Sequence, residues 1–199
     1  MKILHLGSFL LLIPLASCRT PASDTGSSDR AAPRLLDAGF ESGTLARAPV
    51  QGWYSDDLSD GRITVHADAS EKVEGRSSLA VEIVRPRAES QGLASVAQTV
   101  DLGPAARASG ELDLSIALRS AGLSSARIVA YVWDPDGSAQ PIAEREISFT
   151  GTNWEHPLLR LRVPPEHRHL GIFVYMPSTA GGRLWLDDAS LRTVGTGGT

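Results

Sequence analysis

The sequence predicts an all-β fold, an antiparallel two-sheet β-sandwich of the jelly-roll type, on three observations. Short stretches carry apolar residues at every second position, which is typical of half-buried strands. Turn-forming residues separate these stretches. No segment shows a helical period of useful length, and "GPAARASG" makes at most one short helical turn between strands. Roughly eight to ten strands in a single domain fit a sandwich or jelly roll.

The predicted strands fall into two groups along the chain. Strict alternation occurs in "SLAVEIV", "ELDLSIALRS" and "HPLLRLRVP", as expected of strands with one face in the core. "ARIVAYVWD", "HLGIFVYMP" and "RLWLDDASL" are apolar on both faces, which favours central positions in the sheets. The turn signals between strands are "DPDG", "GTN", "PP" and "GG".

The N-terminal residues have the layout of a secretory signal, with a basic Lys2, a short apolar run and small residues before Cys18. The apolar run is shorter than the roughly 20 residues that a spanning helix needs. "LASC", which ends at Cys18, resembles the lipobox of bacterial lipoproteins. That resemblance implies a signal peptide over residues 1–17, lipidation of Cys18, and membrane attachment through the lipid. An ordinary cleavage site with an incidental cysteine stays open as the alternative.

The lipobox resemblance also implies a location in the bacterial cell envelope. Arg19 rather than Asp follows the cysteine, and in lipoproteins this favours the outer membrane. Residues 18–33 are rich in Ser, Thr, Ala, Pro and Gly, which predicts a flexible tether. One β-sandwich domain over residues 34–194 and a disordered tail over residues 195–199 complete the predicted organisation.

Composition excludes two classes of protein. Cys18 is the only cysteine, so the chain can form no internal disulfide bond. The formal net charge is −4 and no basic run is present, which argues against nucleic acid as a partner.

Three segments, taken in order, resemble the jelly-roll carbohydrate-binding modules of the galactose-binding-like superfamily. They are "LLDAGFESG" followed by Gly52-Trp53, "VEGRSSLAVEI", and "RLWLDDASL" preceded by "GTNWEHPLLRLRVP". The resemblance implies two packed antiparallel sheets with adjacent first and last strands. It also implies a non-catalytic module whose ligand is a glycan, such as a polysaccharide or the glycan of peptidoglycan.

The same resemblance implies a structural Ca²⁺ ion. Its ligands would be the carboxylates of Glu41 and Asp187 and the backbone carbonyls of Lys72 and Gly75. Ca²⁺ combines carboxylate and carbonyl oxygens readily. In the alternative, Glu41 pairs with an arginine at the surface. The resemblance selects Asp187 as the ligand, and Asp188, on the opposite face of the strand, is expected to meet solvent or a backbone donor.

A glycan site combines flat aromatic faces with a few polar side chains. Alternation places Tyr131 and Trp133 on one face of their strand, and Tyr175 on the corresponding face of another. Asp113, Arg160 and Arg162 also alternate with core leucines, and the sequence predicts that all six residues line one binding floor. The alternative, in which long loops cover the aromatic residues as part of the core, stays open. Trp53, Trp154 and Trp185 are expected to be structural.

The sequence contains no nucleophile elbow, metalloprotease helix or phosphate-binding loop, and we predict that the protein is not an enzyme. His167 and His169 are two residues apart, but no third zinc ligand is nearby, so a solvated edge is the favoured interpretation. Two alternatives remain open. One is a structural or protein-interaction lipoprotein without a sugar ligand, and the other is an enzyme acting on glycosides.

Overall fold

The computed structural model describes residues 33–47, 52–86, 93–134, 137–178 and 181–194. The predicted signal peptide, the lipidation site Cys18, residues 18–32 of the predicted tether and the tail 195–199 lie outside the described residues.

Strands dominate the described residues, which form nine strands and two short helices. The strands are β1 (Ile63–Asp68), β2 (Ser78–Ile83), β3 (Ala94–Asp101), β4 (Glu111–Ala121), β5 (Ser125–Trp133), β6 (Ala139–Ser148), β7 (Leu158–Arg162), β8 (His169–Met176) and β9 (Arg183–Thr193). The helices are α1 (Asp56–Ser59) and α2 (Pro104–Ser109), and neither is long and apolar enough to cross a membrane. Helix α2 is the short helical turn predicted from the sequence.

The strands form two antiparallel sheets. The five-stranded sheet has the order β1-β2-β9-β4-β7, and the four-stranded sheet has the order β3-β8-β5-β6. Every neighbouring pair is antiparallel. Strands β5, β8 and β9 lie inside their sheets, as their apolar character on both faces predicted. The predicted fold class, a two-sheet antiparallel β-sandwich of the jelly-roll type, is confirmed.

The core lies between the sheets and follows the alternation read from the sequence. In β4, Leu112, Leu114, Ile116 and Leu118 are fully buried. In β5, Ile128 and its alternate neighbours Ala130 and Val132 are likewise buried. Because successive side chains of a strand point to opposite faces, the remaining residues of β4 and β5 lie on the two outer faces of the sandwich.

Strand β6 is an edge strand that the sequence analysis did not predict. Ile147 is its one buried residue, so little of its sequence shows a core-facing period. Its pairing with β5 is irregular, since Ala130 lies opposite Ala143 whereas Tyr131 lies opposite Pro141. This β-bulge places one extra residue in β6 beside Tyr131.

A second β-bulge lies in β9, next to its two adjacent acidic residues. Ser115 of β4 lies opposite Ser190, whereas Ala117 lies opposite Asp187, so β9 carries one extra residue. Asp188 has the left-handed φ of 42° and is exposed, as expected for it, whereas Asp187 has no exposed surface. Asparagine and aspartate tolerate left-handed backbone better than most residues, which suits Asp188 to the bulge.

The buried Asp187 carboxylate holds the loop between β1 and β2 over the outer face of the five-stranded sheet. Its Oδ2 accepts hydrogen bonds from the backbone N–H groups of Val73 at 2.6 Å and Glu74 at 3.2 Å. Its Oδ1 accepts one from the N–H of Asp188 at 2.8 Å. Three charge-assisted hydrogen bonds therefore offset the cost of burying this carboxylate.

The two acids provide a matched test of this role. We expect Asp187→Asn to lower the free energy of unfolding by about 1–3 kcal/mol, because an amide cannot accept at both of its terminal atoms. Asp188→Asn should change it by less than about 0.5 kcal/mol, because the side chain is exposed and Asn tolerates the left-handed backbone. Urea unfolding of both variants measures the difference. Equal losses would contradict the structural role of Asp187.

Candidate functional site

The outer face of the four-stranded sheet carries a continuous cluster of aromatic side chains, which we call the aromatic face: Tyr131 and Trp133 from β5, and Phe173 and Tyr175 from β8. All four are half-buried. The ring centroids of Tyr131 and Phe173 are 5.4 Å apart in an edge-to-face arrangement. Those of Phe173 and Tyr175 are 5.7 Å apart, with the rings 11° from parallel. These separations lie in the range of favourable aromatic contacts, so the rings support one another.

Gly171 makes room for the Trp133 indole on this face. A Cβ atom at residue 171 would lie 2.2 Å from Cη2 of Trp133 and 2.9 Å from Cε2 of Phe173. Gly171 lies opposite Tyr131 in the ladder between β8 and β5. The far end of the indole therefore lies over the glycine backbone, a position that any larger residue would fill.

Hydroxyl groups lie among these rings. Burial raises the pKa of the Tyr175 phenol, and its hydrogen bond with Tyr131 raises that pKa further. Tyr54 bridges Ala97 of β3, and burial also raises the pKa of its phenol despite a hydrogen bond with Thr99. Phenols whose pKa values are raised stay protonated at neutral pH, so they can both donate and accept hydrogen bonds.

Charged residues flank the Tyr175 end of the aromatic face. The Arg127 guanidinium lies 5.5 Å from the Tyr175 ring centroid, and its Nη1 donates to Oε1 of Glu144 at 3.1 Å. A shallow cavity of about 220 Å³ lies at this end and is lined by Leu93, Ser125, Ala126, Arg127, Glu144, Glu146, Tyr175 and Pro177. The face thus combines aromatic surface with a small number of hydrogen-bonding groups, as small-molecule sites commonly do.

The structure brings together three of the six residues predicted to form the binding floor. Tyr131, Trp133 and Tyr175 share the aromatic face. The remaining three, Asp113, Arg160 and Arg162, lie in β4 and β7 on the outer side of the other sheet. The prediction of a single floor was therefore wrong for these three residues, because β4 and β7 pair within the five-stranded sheet.

Asp113 and Arg160 also have each other as partners. They lie directly opposite in the ladder between β4 and β7, and Arg160 donates to the Asp113 carboxylate through Nε at 3.0 Å and Nη2 at 3.3 Å. Arg162 Nε lies 3.6 Å from Glu111. Such cross-strand ion pairs are usual on a solvated sheet face.

Sequence reasoning missed Arg127, Glu144, Glu146 and Gly171. Arg127 precedes Tyr131 by four residues on the same strand face, so alternation could have found it. Nothing in the sequence reveals that Glu144 and Glu146 pair with that part of β5, because β6 lacks a clear period.

Two of the three tryptophans expected to be structural are buried. Trp53 packs against Phe40 with ring centroids 4.9 Å apart. Trp185 has the guanidinium groups of Arg119 and Arg183 within 5.6 Å of its ring, and its Nε1 donates to Asp68 at 2.9 Å. Trp154 is half-buried.

The residues implied as calcium ligands lie around the loop between β1 and β2. Glu41 Oε1 accepts from the Arg76 backbone N–H at 2.8 Å, and its Oε2 is buried without a hydrogen-bond partner, 3.5 Å from Nε of Arg76. A Cβ atom on Gly75 would lie 1.6 Å from Glu41 Oε1, so only a glycine allows this approach. Asp187 binds the same loop, two residues before Gly75.

These residues supply only some of the oxygen ligands that a cation needs. Glu41 Oε2 is buried and accepts no hydrogen bond, so a cation could satisfy it, but it already forms an ion pair with the exposed Arg76, as the alternative from the sequence expected. Among the described residues no three His, Cys, Asp or Glu side chains are placed so that they could hold a metal ion, so a cation here would need backbone carbonyls as ligands, such as those of Lys72 and Gly75.

His167 is buried, with 8% of its surface exposed, and not part of the solvated edge that the sequence suggested. It lies in the loop between β7 and β8, whereas His169 begins β8 and is exposed. The loop folds back at Pro164, whose carbonyl accepts from the His167 N–H at 3.1 Å. The ring thereby reaches the end of β5.

Solved structures of several carbohydrate-binding modules have a fold similar to that of this chain. No family model matches the chain, and no curated protein matches it. The solved structure of TmCBM61 in complex with beta-1,4-galactotriose is 19% identical, with a TM-score of 0.55, over 82% of this chain and 100% of that one. A CBM4 structure is 11% identical, with a TM-score of 0.59, over 81% of this chain and 100% of that one.

A third similar structure belongs to an enzyme. The enzymatically active domain of tailspike protein 4 from bacteriophage CBA120 is 13% identical, with a TM-score of 0.56. The match covers 81% of this chain but 21% of the tailspike chain. At these identities the likeness extends to the fold alone, and a fold does not dictate a function. The chain is thus a jelly-roll β-sandwich with the architecture found in carbohydrate-binding modules.

Proposed function

We propose that this chain is a lipid-anchored, non-catalytic protein of the bacterial cell envelope that binds a glycan on its aromatic face. The ligand would be a polysaccharide or the glycan of peptidoglycan, and Cys18 would carry the lipid, at the outer membrane. The observation that carries the proposal is the group of four aromatic side chains on one sheet face, in which the Trp133 indole lies over Gly171 and the Phe173 ring contacts both Tyr131 and Tyr175.

The chemistry of this face suits a sugar. The axial C–H groups of a pyranose form an apolar surface that packs against an aromatic ring, while its hydroxyls need donors and acceptors at the edge of the contact. Tyr131 and Tyr175 supply phenol hydroxyls, and Arg127 and Glu144 supply a donor and an acceptor. The likeness to carbohydrate-binding modules supports the same class of ligand.

Trp133→Ala tests the proposed site. We expect the full chain to bind at least one ligand in a panel of polysaccharides and peptidoglycan fragments that includes beta-1,4-galactan. The substitution should weaken this binding by at least about tenfold, because tryptophan is enriched among the hot-spot residues whose truncation costs about 2 kcal/mol or more. Isothermal titration calorimetry gives both affinities.

Arg160→Ala is the matched control, because Arg160 lies on the other sheet and should leave the affinity unchanged. Equal losses in both variants would contradict the location of the site. A well-folded chain that binds no member of the panel would favour a structural or protein-interaction lipoprotein. Hydrolysis of a panel member would indicate an enzyme.

Gly171→Ala provides a subtler test of the same face. The added methyl group meets the indole of Trp133 at 2.2 Å, so the ring must move away from the sheet. We expect the affinity for the glycan to fall by roughly tenfold while the far-UV circular dichroism spectrum is retained. An unchanged affinity would mean that the position of the indole is unimportant for binding.

We further propose that Glu41, Asp187 and the carbonyls of Lys72 and Gly75 hold a structural Ca²⁺ ion. The proposal rests on the buried Oε2 of Glu41, which accepts no hydrogen bond, and on the approach of this carboxylate to Gly75. A cation there would tie the loop between β1 and β2 to the segment that contains Glu41.

Chelation tests the calcium proposal. We expect EGTA to lower the melting temperature by about 5 °C or more and added Ca²⁺ to restore it, because a ligand that binds only the folded state stabilises it. Glu41→Gln should abolish this sensitivity, whereas Glu74→Gln, a change in an exposed side chain of the same loop, should preserve it. A melting temperature unaffected by EGTA would overturn the proposal.

A further inference from the structure

We propose that the Tyr175 end of the aromatic face binds a sugar unit that carries a free ammonium group, and that the carboxylate of Glu146 accepts from this group. This inference names the class of glycan for the proposed site and rests on the proposed function. The two are tested with glycans that differ only in the charged group, so a wrong ligand class and a wrong function give different results.

Two glutamates of β6 lie beside Arg127, and Arg127 pairs with the more distant one. Glu146 lies directly opposite Arg127 in the ladder between β5 and β6, whereas Glu144 lies opposite Val129. Directly opposite side chains on a sheet face are closer neighbours than diagonal ones. The guanidinium nevertheless donates from Nη1 to Oε1 of Glu144 at 3.1 Å. Arg127 therefore forms its ion pair away from Glu146.

The ion pair draws the Arg127 guanidinium toward the centre of the aromatic face. Val129, which lies opposite Glu144, also lies opposite Phe173 in the ladder between β5 and β8. The guanidinium is 5.5 Å from the ring centroid of Tyr175, and a cation at this distance is attracted by an aromatic ring. Two contacts, one with Glu144 and one with Tyr175, thus hold Arg127 in this position.

The carboxylate of Glu146 is left without a cation. Glu146 is exposed, and no hydrogen bond or ion pair of its carboxylate is found within the described part of the chain. The neighbouring Arg145 donates instead to the carbonyl of Leu158 at 2.9 Å. Among the described residues that line the cavity at this end, Glu144 and Glu146 bring two carboxylates and Arg127 one guanidinium, an excess of one negative charge.

Acidic residues also lie on the opposite side of Tyr175. Ser95 lies opposite Tyr175 in the ladder between β3 and β8, and its N–H donates to the buried Asp57 of α1 at 3.0 Å. In the same helix, Asp56 acts on the Tyr54 phenol: burial is the main cause of its raised pKa, and the negative charge of Asp56 raises that pKa further. The Tyr175 end therefore lies between two acidic groups, whose potential favours a positive charge.

An ammonium group fits the chemistry of this end. Its N–H groups can donate to the carboxylate of Glu146 and to a phenol oxygen, and its charge offsets the excess of negative charge in the cavity. A sugar with a carboxylate would instead bring a like charge beside Glu146, which is unfavourable. The same site would therefore distinguish amino sugars from neutral and acidic sugars.

The direct test compares two oligomers of equal length and identical linkage, one of beta-1,4-linked glucosamine and one of beta-1,4-linked N-acetylglucosamine. We expect the full chain to bind the glucosamine oligomer at least about tenfold more tightly at about pH 6, where amines are largely protonated. The physical reason is that a charge-assisted hydrogen bond is stronger than a neutral one. Isothermal titration calorimetry gives both affinities.

Glu146→Gln tests the assignment of the ammonium group to this residue. The amide keeps the shape of the side chain but removes its charge, so the glucosamine oligomer should bind about tenfold more weakly. The affinity for the acetylated oligomer should change by less than about twofold, since a neutral group gains little from the carboxylate.

Glu111→Gln is the matched control, because it removes the same charge from β4 in the other sheet. It should leave both affinities unchanged. Equal losses in Glu146→Gln and Glu111→Gln would mean that the net charge of the chain attracts the glucosamine oligomer, and this result would overturn the inference.

The remaining outcomes separate the inference from the proposed function. Binding of beta-1,4-galactan or the acetylated oligomer, without tighter binding of the glucosamine oligomer, would overturn the amino-sugar class and leave the glycan site in place. Binding of the glucosamine oligomer that depends on both Trp133 and Glu146 would support both proposals. A folded chain that binds neither oligomer and no member of the glycan panel would contradict both.

Discussion

The burial of one face of each sheet against the other decides where every remaining side chain of this domain can lie. Leu114 and Ile116 of β4 pack toward the four-stranded sheet, and Ile128 of β5 packs back toward them. Each strand then has a single face left for polar or functional groups. The sandwich consequently has two chemically distinct outer surfaces. One is largely covered by paired charges, and the other carries the aromatic face.

Gly171 determines how closely the Trp133 ring of the aromatic face approaches the sheet. The indole of Trp133 lies where it does because Gly171 has no side chain, and the Phe173 ring, which stacks on Tyr175, also lies next to this glycine. The close packing of protein interiors extends here to a half-exposed surface, so one methyl group can displace a ring. A preformed surface of this kind loses little conformational freedom when a ligand binds, which favours affinity.

The sequence was sufficient to predict the fold class because alternation in strands such as β4 and β7 reflects burial directly. It was sufficient to place Tyr131 and Trp133 on one outward face for the same reason. It could not reveal which sheet each strand joins, and Asp113 and Arg160 were assigned to the wrong surface as a result. Alternation defines inside and outside, whereas sheet membership depends on pairing between distant segments, such as β4 with β9.

Other features escaped prediction because they depend on contacts distant in sequence. The burial of His167 results from its approach to Trp133, 34 residues away. The acidic stretch after Tyr54 contains helix α1, whose Asp57 is buried and accepts from the Ser95 N–H at 3.0 Å. In the sequence both segments read as polar and exposed, since neither shows the partner that makes burial possible.

Strand β6 has a consequence for the behaviour of the protein in a crowded environment. An exposed edge strand offers unpaired backbone groups to any other strand, and this is a common route to aggregation. In β6, Pro141 lacks a donor, the bulge interrupts the regular spacing of hydrogen bonds, and Glu144, Arg145 and Glu146 add charge. These features disfavour edge-to-edge association, so copies concentrated on a surface would resist joining their sheets into a continuous array.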